Sequence, residues 1–158
     1  MNASYFSSDT LEFLRLLSKY EVRYVIVGGE AVIYYGYPRL TGDVDFFYSP
    51  DDQNSGLLFK ALLDFWDDDI PGLRDSEELQ SPGYVIQFGV PPNRIDLLNS
   101  IEAISFNEAW TNRVEEFVFF KGEKIPVYII SLRHLIRNKQ ETARNKDLED
   151  LKYLRNID

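Results

Sequence analysis

The sequence predicts an α+β (α/β) domain built on a mixed sheet flanked by helices. Two observations carry this: strand-like and helix-like segments are interleaved along the chain, and two pairs of strands are separated only by short turn signals, which closes them as hairpins rather than as crossovers. In chain order, Asp9 and Glu12 have capping-box spacing and Leu11, Leu14 and Leu17 follow at helical intervals, so residues 9–19 are expected to be a helix. Residues 23–27 form a short β-branched run that ends in Gly28-Gly29, a strand feeding a tight turn. A short helix is expected over residues 30–35, closed by Gly36 and Pro38. Residues 43–48 (Asp-Val-Asp-Phe-Phe-Tyr) form a second strand, Pro50 ends it, and residues 51–65 form a helix. Residues 66–82 are acidic and punctuated by Pro71, Gly72 and Pro82, which predicts a surface loop. Residues 84–88 and 94–98 are strands of a hairpin around Pro91-Pro92-Asn93, and residues 117–120 and 124–130 are a second hairpin turning at Gly122. A short helix is expected over 106–112. Ser131 caps a helix to about 140, and Asn145 caps a last one to about 155.

Composition narrows the chemistry. The chain has 158 residues, enough for one domain (1–158) with its own core, and 44% are hydrophobic, which is globular composition. It has no cysteine, so disulfides, thiolate catalysis and cysteine metal sites are excluded, and its one histidine, His134, rules out a histidine-rich metal site. Seventeen Lys+Arg against 26 Asp+Glu leave a net charge of −9, a poor basis for sequence-blind adhesion to DNA or to anionic lipid. No stretch approaches the ~20 apolar residues of a bilayer span. Residues 1–4 carry no basic region and no following apolar run, so a cytoplasmic location is the expectation. Carboxylates are the abundant resource, and they suit hard cations such as Mg²⁺.

Asp43 and Asp45 are the sharpest feature. On a strand they point to one face while Val44 and Phe46 point to the other, so an apolar side backs a polar one. Two carboxylates on one face repel unless something positive lies between them, and a divalent cation is the obvious partner. With 14 aspartates in the chain the spacing also recurs at Asp67 and Asp69, but there no apolar alternation supports it, and that pair is assigned to solvated loop. Asp96 lies between Ile95 and Leu97 in another strand; if the two strands are neighbours, three carboxylates converge, the ligand set for one or two Mg²⁺ ions. A salt bridge with Arg94 is the alternative role for Asp96. Gly28 and Gly29 between a strand and a helix let backbone approach a ligand closely, although such a pair can equally be a plain turn.

Together these residues carry a resemblance. Val27-Gly28-Gly29, a 13-residue spacer, Asp43-Val44-Asp45-Phe46 and a later carboxylate between apolar residues, Asp96, resemble the signature of the nucleotidyltransferase superfamily with the DNA polymerase β-like fold. Within it, residues 28–45 are most similar to small bacterial nucleotidyltransferase-like proteins related to AbiEii-type toxins and minimal nucleotidyltransferases. The lysine Lys139 on one helix and the Arg-x-Lys-Asp-x-x-Asp run that starts the next, Arg144-Asn145-Lys146-Asp147-Leu148-Glu149-Asp150, are similar to late motifs of that family. The resemblance implies a polymerase β-like fold and a transferase that uses two Mg²⁺ ions and a nucleoside triphosphate such as ATP. It places Asp43, Asp45 and Asp96 at the metals and in catalysis, and Lys139 in catalysis as a charge for the phosphates. It places Gly28, Gly29, Arg39, Thr41, Lys146 and Asp147 around the nucleotide. It also suggests a toxin–antitoxin or defence setting.

The residues themselves leave choices open. Lys139 falls on the apolar stripe of Leu132, Leu135 and Ile136, so either a buried anion or a bound phosphate draws it there, or its stem packs while its ammonium reaches water. Asp147 either complements a helix start or turns inward to pair with Lys139 or an arginine. Arg39 and Thr41 are otherwise a solvated charge and a turn residue, and His134, Trp66 and Trp110 are assigned to packing. Three function classes follow: nucleotidyl transfer to a hydroxyl of an RNA end, a protein or a small molecule; a catalytically inactive nucleotide- or partner-binding module; and metal-dependent phosphodiester hydrolysis. No membrane and no DNA partner is expected, and a partner protein is compatible. Arg133, Arg137, Lys139, Arg144, Lys146, Lys152 and Arg155 supply the one basic face that RNA could use, against seven acids and Arg74 over residues 64–78.

Overall fold

The computed structural model describes residues 1–37, 39 and 41–157. Six strands form one sheet: β1 (Tyr24–Val27), β2 (Asp43–Tyr48), β3 (Val85–Phe88), β4 (Arg94–Leu98), β5 (Val114–Phe120) and β6 (Glu123–Ile129), in the order β3-β4-β2-β1-β6-β5. The sheet is mixed, as expected. β3–β4 and β5–β6 are antiparallel hairpins and β1–β2 is antiparallel, whereas β2–β4 and β1–β6 are parallel. The helices are α1 (Ser8–Lys19), α2 (Gly28–Tyr34), α3 (Asp52–Phe65), α4 (Phe106–Thr111), α5 (Leu132–Thr142) and α6 (Asn145–Ile157).

β2 is the hinge of the architecture, and its alternation sorts the layers. Phe46 faces one side, where it meets Phe13 of α1 edge-on at 5.3 Å, and Phe13 in turn meets Phe65 of α3 at 5.3 Å. Phe47 faces the other side and meets Phe106 of α4 at 5.3 Å. Asp43 and Asp45 share parity with Phe47, so the carboxylates lie on the α4 face, where the end of the strand is less covered. Central β1 is buried along its whole length, as a strand covered on both faces requires.

Several boundaries differ from the sequence-based expectation. The first helix is capped by Ser7, whose hydroxyl accepts from the Thr10 N–H, and not through Asp9. Ser7 wins because it keeps extended backbone (ψ 161°) while Asp9 is already helical. The turn expected at Gly28-Gly29 is already the first turn of α2, entered through the positive φ of Gly28 (67°). The helix stop assigned to Pro38 lies outside the described residues. The loop over 66–82 contains a single 3-10 turn, Glu78–Gln80, anchored by the buried Leu79, whose carbonyl accepts from the Tyr48 hydroxyl at 2.7 Å. Among the described residues no helix is long and apolar enough to cross a membrane.

Candidate functional site

The parallel pairing of β2 with β4 sets the register Asp43↔Arg94, Asp45↔Asp96, Phe47↔Leu98. Residues opposite one another in a sheet share a face, so this register alone delivers Asp96 to the side of Asp45. Each of Asp43, Asp45 and Asp96 offers a carboxylate oxygen within 4.8 Å of the others'. The structure thus brings together the three aspartates that the sequence singled out.

It also places a cation among them. The Arg94 guanidinium donates to Asp43 Oδ2 at 2.6 Å and to Asp96 Oδ1 at 2.8 Å. The salt bridge raised above as an alternative role for Asp96 therefore coexists with the carboxylate cluster. Gln87 on β3 donates to Asp96 Oδ2 at 3.2 Å, which fixes the far side of that carboxylate. Asp45 has the least help. Burial, then the charges of Asp43 and Asp96, push its carboxyl up to about 7 despite the nearby Arg94. Burial also raises Asp96, with the Arg94 hydrogen bond opposing it. Glu30 on α2 is likewise pushed up to about 7, by burial and by Asp43. The carboxylate cluster is short of positive charge, and the atoms it offers a ligand are all oxygen, which fits a hard divalent cation.

The two glycines are required by the site's own packing. A side chain on Gly28 would overlap the Asp45 carboxylate, and a Cβ on Gly29 would lie 2.7 Å from Thr41 Oγ1 and 3.0 Å from Arg39 Nη2. Thr41 in turn hydrogen-bonds the Asp43 carbonyl at 3.2 Å and its carboxylate at 3.3 Å. A cleft of about 510 Å³ opens here, lined by Gly28, Gly29, Arg39, Thr41, the three aspartates and Arg94, with Lys139, Arg144 and Lys146 across from them.

The late motifs meet the site from α5 and α6. Lys139 is 3% exposed, and its ammonium bridges Asp147 Oδ1 (3.1 Å) and Asp150 Oδ2 (3.0 Å). The buried-anion explanation for its place on the apolar stripe is the one the structure adopts. Asp147 is fully buried and does not line the cleft. Burial works against its charge, but hydrogen bonds from Arg144 and Lys139 outweigh that and hold its carboxyl well below the usual carboxylate range. Asp150 also pairs with Arg39 Nε at 3.1 Å, so one buried acidic pair positions Lys139, Arg144 and Arg39 at the cleft wall. The basic face expected from α5 onward loses Lys139 to the interior, and Arg137 is paired with Glu108. His134 is buried, as assigned, and burial lowers its pKa.

Sequence reasoning missed Gln87; it named Arg94 only as a salt-bridge alternative for Asp96, and Arg144 and Asp150 as parts of a late motif, without a place at the site. Arg94 carried a usable signal, because it shares parity with Asp96 on one strand and must face the same way. Gln87 depended on the hairpin register, and Asp150 on the packing of two helices.

Two outcomes test these electrostatics. A group whose pKa is raised on folding costs stability when ionised: the fold is favoured below pH ~4 and loses that favour as pH rises to about 7. In metal-free protein, Asp45→Asn is therefore expected to melt on the order of 5 °C above the parent at pH 8 and level with it at pH 4, by calorimetry; a pH-independent difference contradicts this. Lys139→Met leaves two buried carboxylates without their shared cation and is expected to cost ~3–5 kcal/mol in urea unfolding, a loss largely recovered when Asp147→Asn and Asp150→Asn are added. No recovery in the triple variant contradicts the pairing.

The chain is similar to known proteins in fold and in family. A proposed nucleotidyltransferase from Thermotoga maritima is similar over 97% of this chain and 96% of its own, at 16% identity and a TM-score of 0.51. An antigenic nucleotidyltransferase-like protein from Paracoccidioides brasiliensis is similar over 94% of this chain and 77% of its own, at 21% identity and a TM-score of 0.49. The first likeness establishes the fold and nothing finer. No curated protein matches the chain. The profile of one protein family matches residues 8–155, and over that span the chain belongs to the nucleotidyltransferases of unknown function (DUF6036).

Proposed function

We propose that the protein is a Mg²⁺-dependent nucleotidyltransferase that moves a nucleoside monophosphate from a nucleoside triphosphate to an acceptor hydroxyl and releases pyrophosphate. The observation that carries this is the convergence of Asp43, Asp45 and Asp96 within 4.8 Å in a chain of a nucleotidyltransferase family. Asp43 and Asp45 would hold two ions and Asp96 would share the second. Bound there, Mg²⁺ supplies positive charge for the triphosphate and for the entering and leaving oxygens of an in-line displacement.

The chain's own residues do the rest. Asp96, which lines the cleft beside Asp45, would accept the proton of the attacking hydroxyl. Arg94 bridges Asp43 and Asp96 and offsets part of their charge, and it would have to release them for the ions to be held there. Gly28 and Gly29 keep the cleft floor free of side chains, while Arg39, Arg144 and Lys146 line the wall that receives the phosphates, with Thr41 orienting Asp43. Lys139 adds charge from behind that wall, and Asp147 holds Arg144 and Lys139 in place. ATP is the expected nucleotide, in a cytoplasmic setting. The resemblance of residues 28–45 to AbiEii-type toxins supports a place in a toxin–antitoxin or defence system.

A second reading, a nucleotide-binding module without turnover, is favoured by one observation: Arg94 already bridges Asp43 and Asp96, two of the carboxylates that would ligate the ions. Labelled nucleoside triphosphate, Mg²⁺ and RNA, protein and small-molecule acceptors decide between them. The parent is expected to transfer label and the Asp43→Ala/Asp45→Ala variant to lose at least ~10³-fold. Equal transfer by both, or Mg²⁺-dependent binding with no transfer by the parent, overturns the transferase reading.

A further inference from the structure

Beside the cleft just described lies another, of about 580 Å³, and the two share Gly28, Asp45, Lys139 and Arg144 as a common wall. Their remaining linings place them at opposite ends of the carboxylate cluster. The first reaches Asp43 and Arg94, the upstream ends of β2 and β4; the second reaches Leu98, Ser100 and Ile101, downstream on β4 and beyond it. Their chemistry differs as sharply. The first gathers Arg39, Arg94, Arg144 and Lys146. The second has an apolar part, Val27, Leu98 and Ile101, and two glutamates, Glu102 and Glu141. Among the described residues no ion pair or hydrogen bond engages either glutamate side chain, whereas both cations on the shared wall are committed to buried aspartates: Lys139 to Asp147 and Asp150, Arg144 to Asp147.

We propose that this second cleft is the acceptor site and that it takes a small hydroxylated amine. The proposal rests on the transferase reading above and deepens it. In an in-line displacement the attacking oxygen and the leaving group lie on opposite sides of the phosphorus. The cationic cleft is the one suited to departing pyrophosphate, so with the α-phosphorus at the carboxylates the acceptor must come from the other side. There the acceptor oxygen forms its bond to the α-phosphorus while the α–β bridging P–O bond breaks. The bonding pair leaves with pyrophosphate, and the hydroxyl proton passes to Asp96 and then to water. The cleft's volume is that of a small-molecule site. Its uncommitted charge is negative, which repels a polyanionic RNA end and draws an ammonium, and Val27, Leu98 and Ile101 offer a carbon skeleton a surface to rest on.

Three probes of one skeleton test this: glucosamine, glucose and glucose 6-phosphate, titrated into isotope-labelled protein with Mg²⁺ and a non-hydrolysable ATP analogue and followed by amide NMR shifts. Glucosamine is expected to bind best, glucose less well and glucose 6-phosphate least, with shifts centred on Ser100, Ile101, Glu102 and Glu141. Glu102→Lys/Glu141→Lys, two exposed positions, is expected to reverse the order by about tenfold at each end while leaving analogue binding at Gly28 and Gly29 unchanged. Shifts elsewhere, an order insensitive to charge, tightest binding of glucose 6-phosphate, or label transfer to an RNA end that the double variant leaves intact would each overturn the acceptor assignment. Failure of the ATP analogue itself to perturb the Gly28-Gly29 region would instead count against the transferase reading, so the two failures are separable.

Discussion

The site depends on one constraint, the in-register parallel pairing of β2 with β4. Asp43 and Asp45 are two residues apart on one strand and share a face by alternation alone. Asp96 is brought to them only because Asp45 and Asp96 are opposite one another, and a slip of one residue would turn Asp96 to the α1–α3 side of the sheet and put Ile95 or Leu97 among the carboxylates. The apolar backing prevents that slip. Ile95 and Leu97 are buried in the same core as Val44 and Phe46, and they are the residues that such a slip would expose to the polar cleft. The core therefore fixes the chemistry: the free energy of burying one face sets where the charges on the other must meet.

That meeting is electrostatically expensive, and the structure shows how the cost is distributed. Arg94 covers Asp43 and Asp96, Gln87 steadies Asp96, and Asp45 remains the least compensated, with a carboxyl pushed up to about 7. A few residues away the opposite solution is used. Lys139 is buried between Asp147 and Asp150, which Arg144 and Arg39 also pair, so three cations answer two carboxylates. The first cluster is open to a cleft and short of cation; in the second the carboxylates are buried and fully paired. That contrast separates a site prepared for a ligand from a brace that positions Arg39 and Arg144 beside it.

Much of this was legible in the sequence, and the limits have physical causes. Local rules found the Asp43/Asp45 face, both hairpins and the sense of Asp96 on its strand, because period-2 alternation and turn residues act over a few positions. Gly28 and Gly29 were recognised as a close-approach motif, but the group that approaches is first of all the protein's own Asp45 and Thr41, which only the tertiary structure reveals. Ser7 was passed over because Asp9 and Glu12 satisfy the same spacing rule. Helical periodicity put Lys139 on the apolar stripe but left open whether its ammonium is buried or reaches water, and Asp150 as its second partner required the packing of α5 on α6. Strand order, which separates β4 from β1 by β2 and carries β6 to the far side of β1, has no local signal at all.

The central claim is that three aspartates and a displaceable arginine constitute a divalent-cation site. Anomalous diffraction from crystals grown with Mn²⁺ and a non-hydrolysable nucleoside triphosphate tests it most directly. The account predicts a manganese peak within coordination distance of Asp43, Asp45 and Asp96, with the Arg94 guanidinium turned away from Asp43. A nucleotide-bound crystal with no peak there, and Arg94 still joining Asp43 to Asp96, would contradict it.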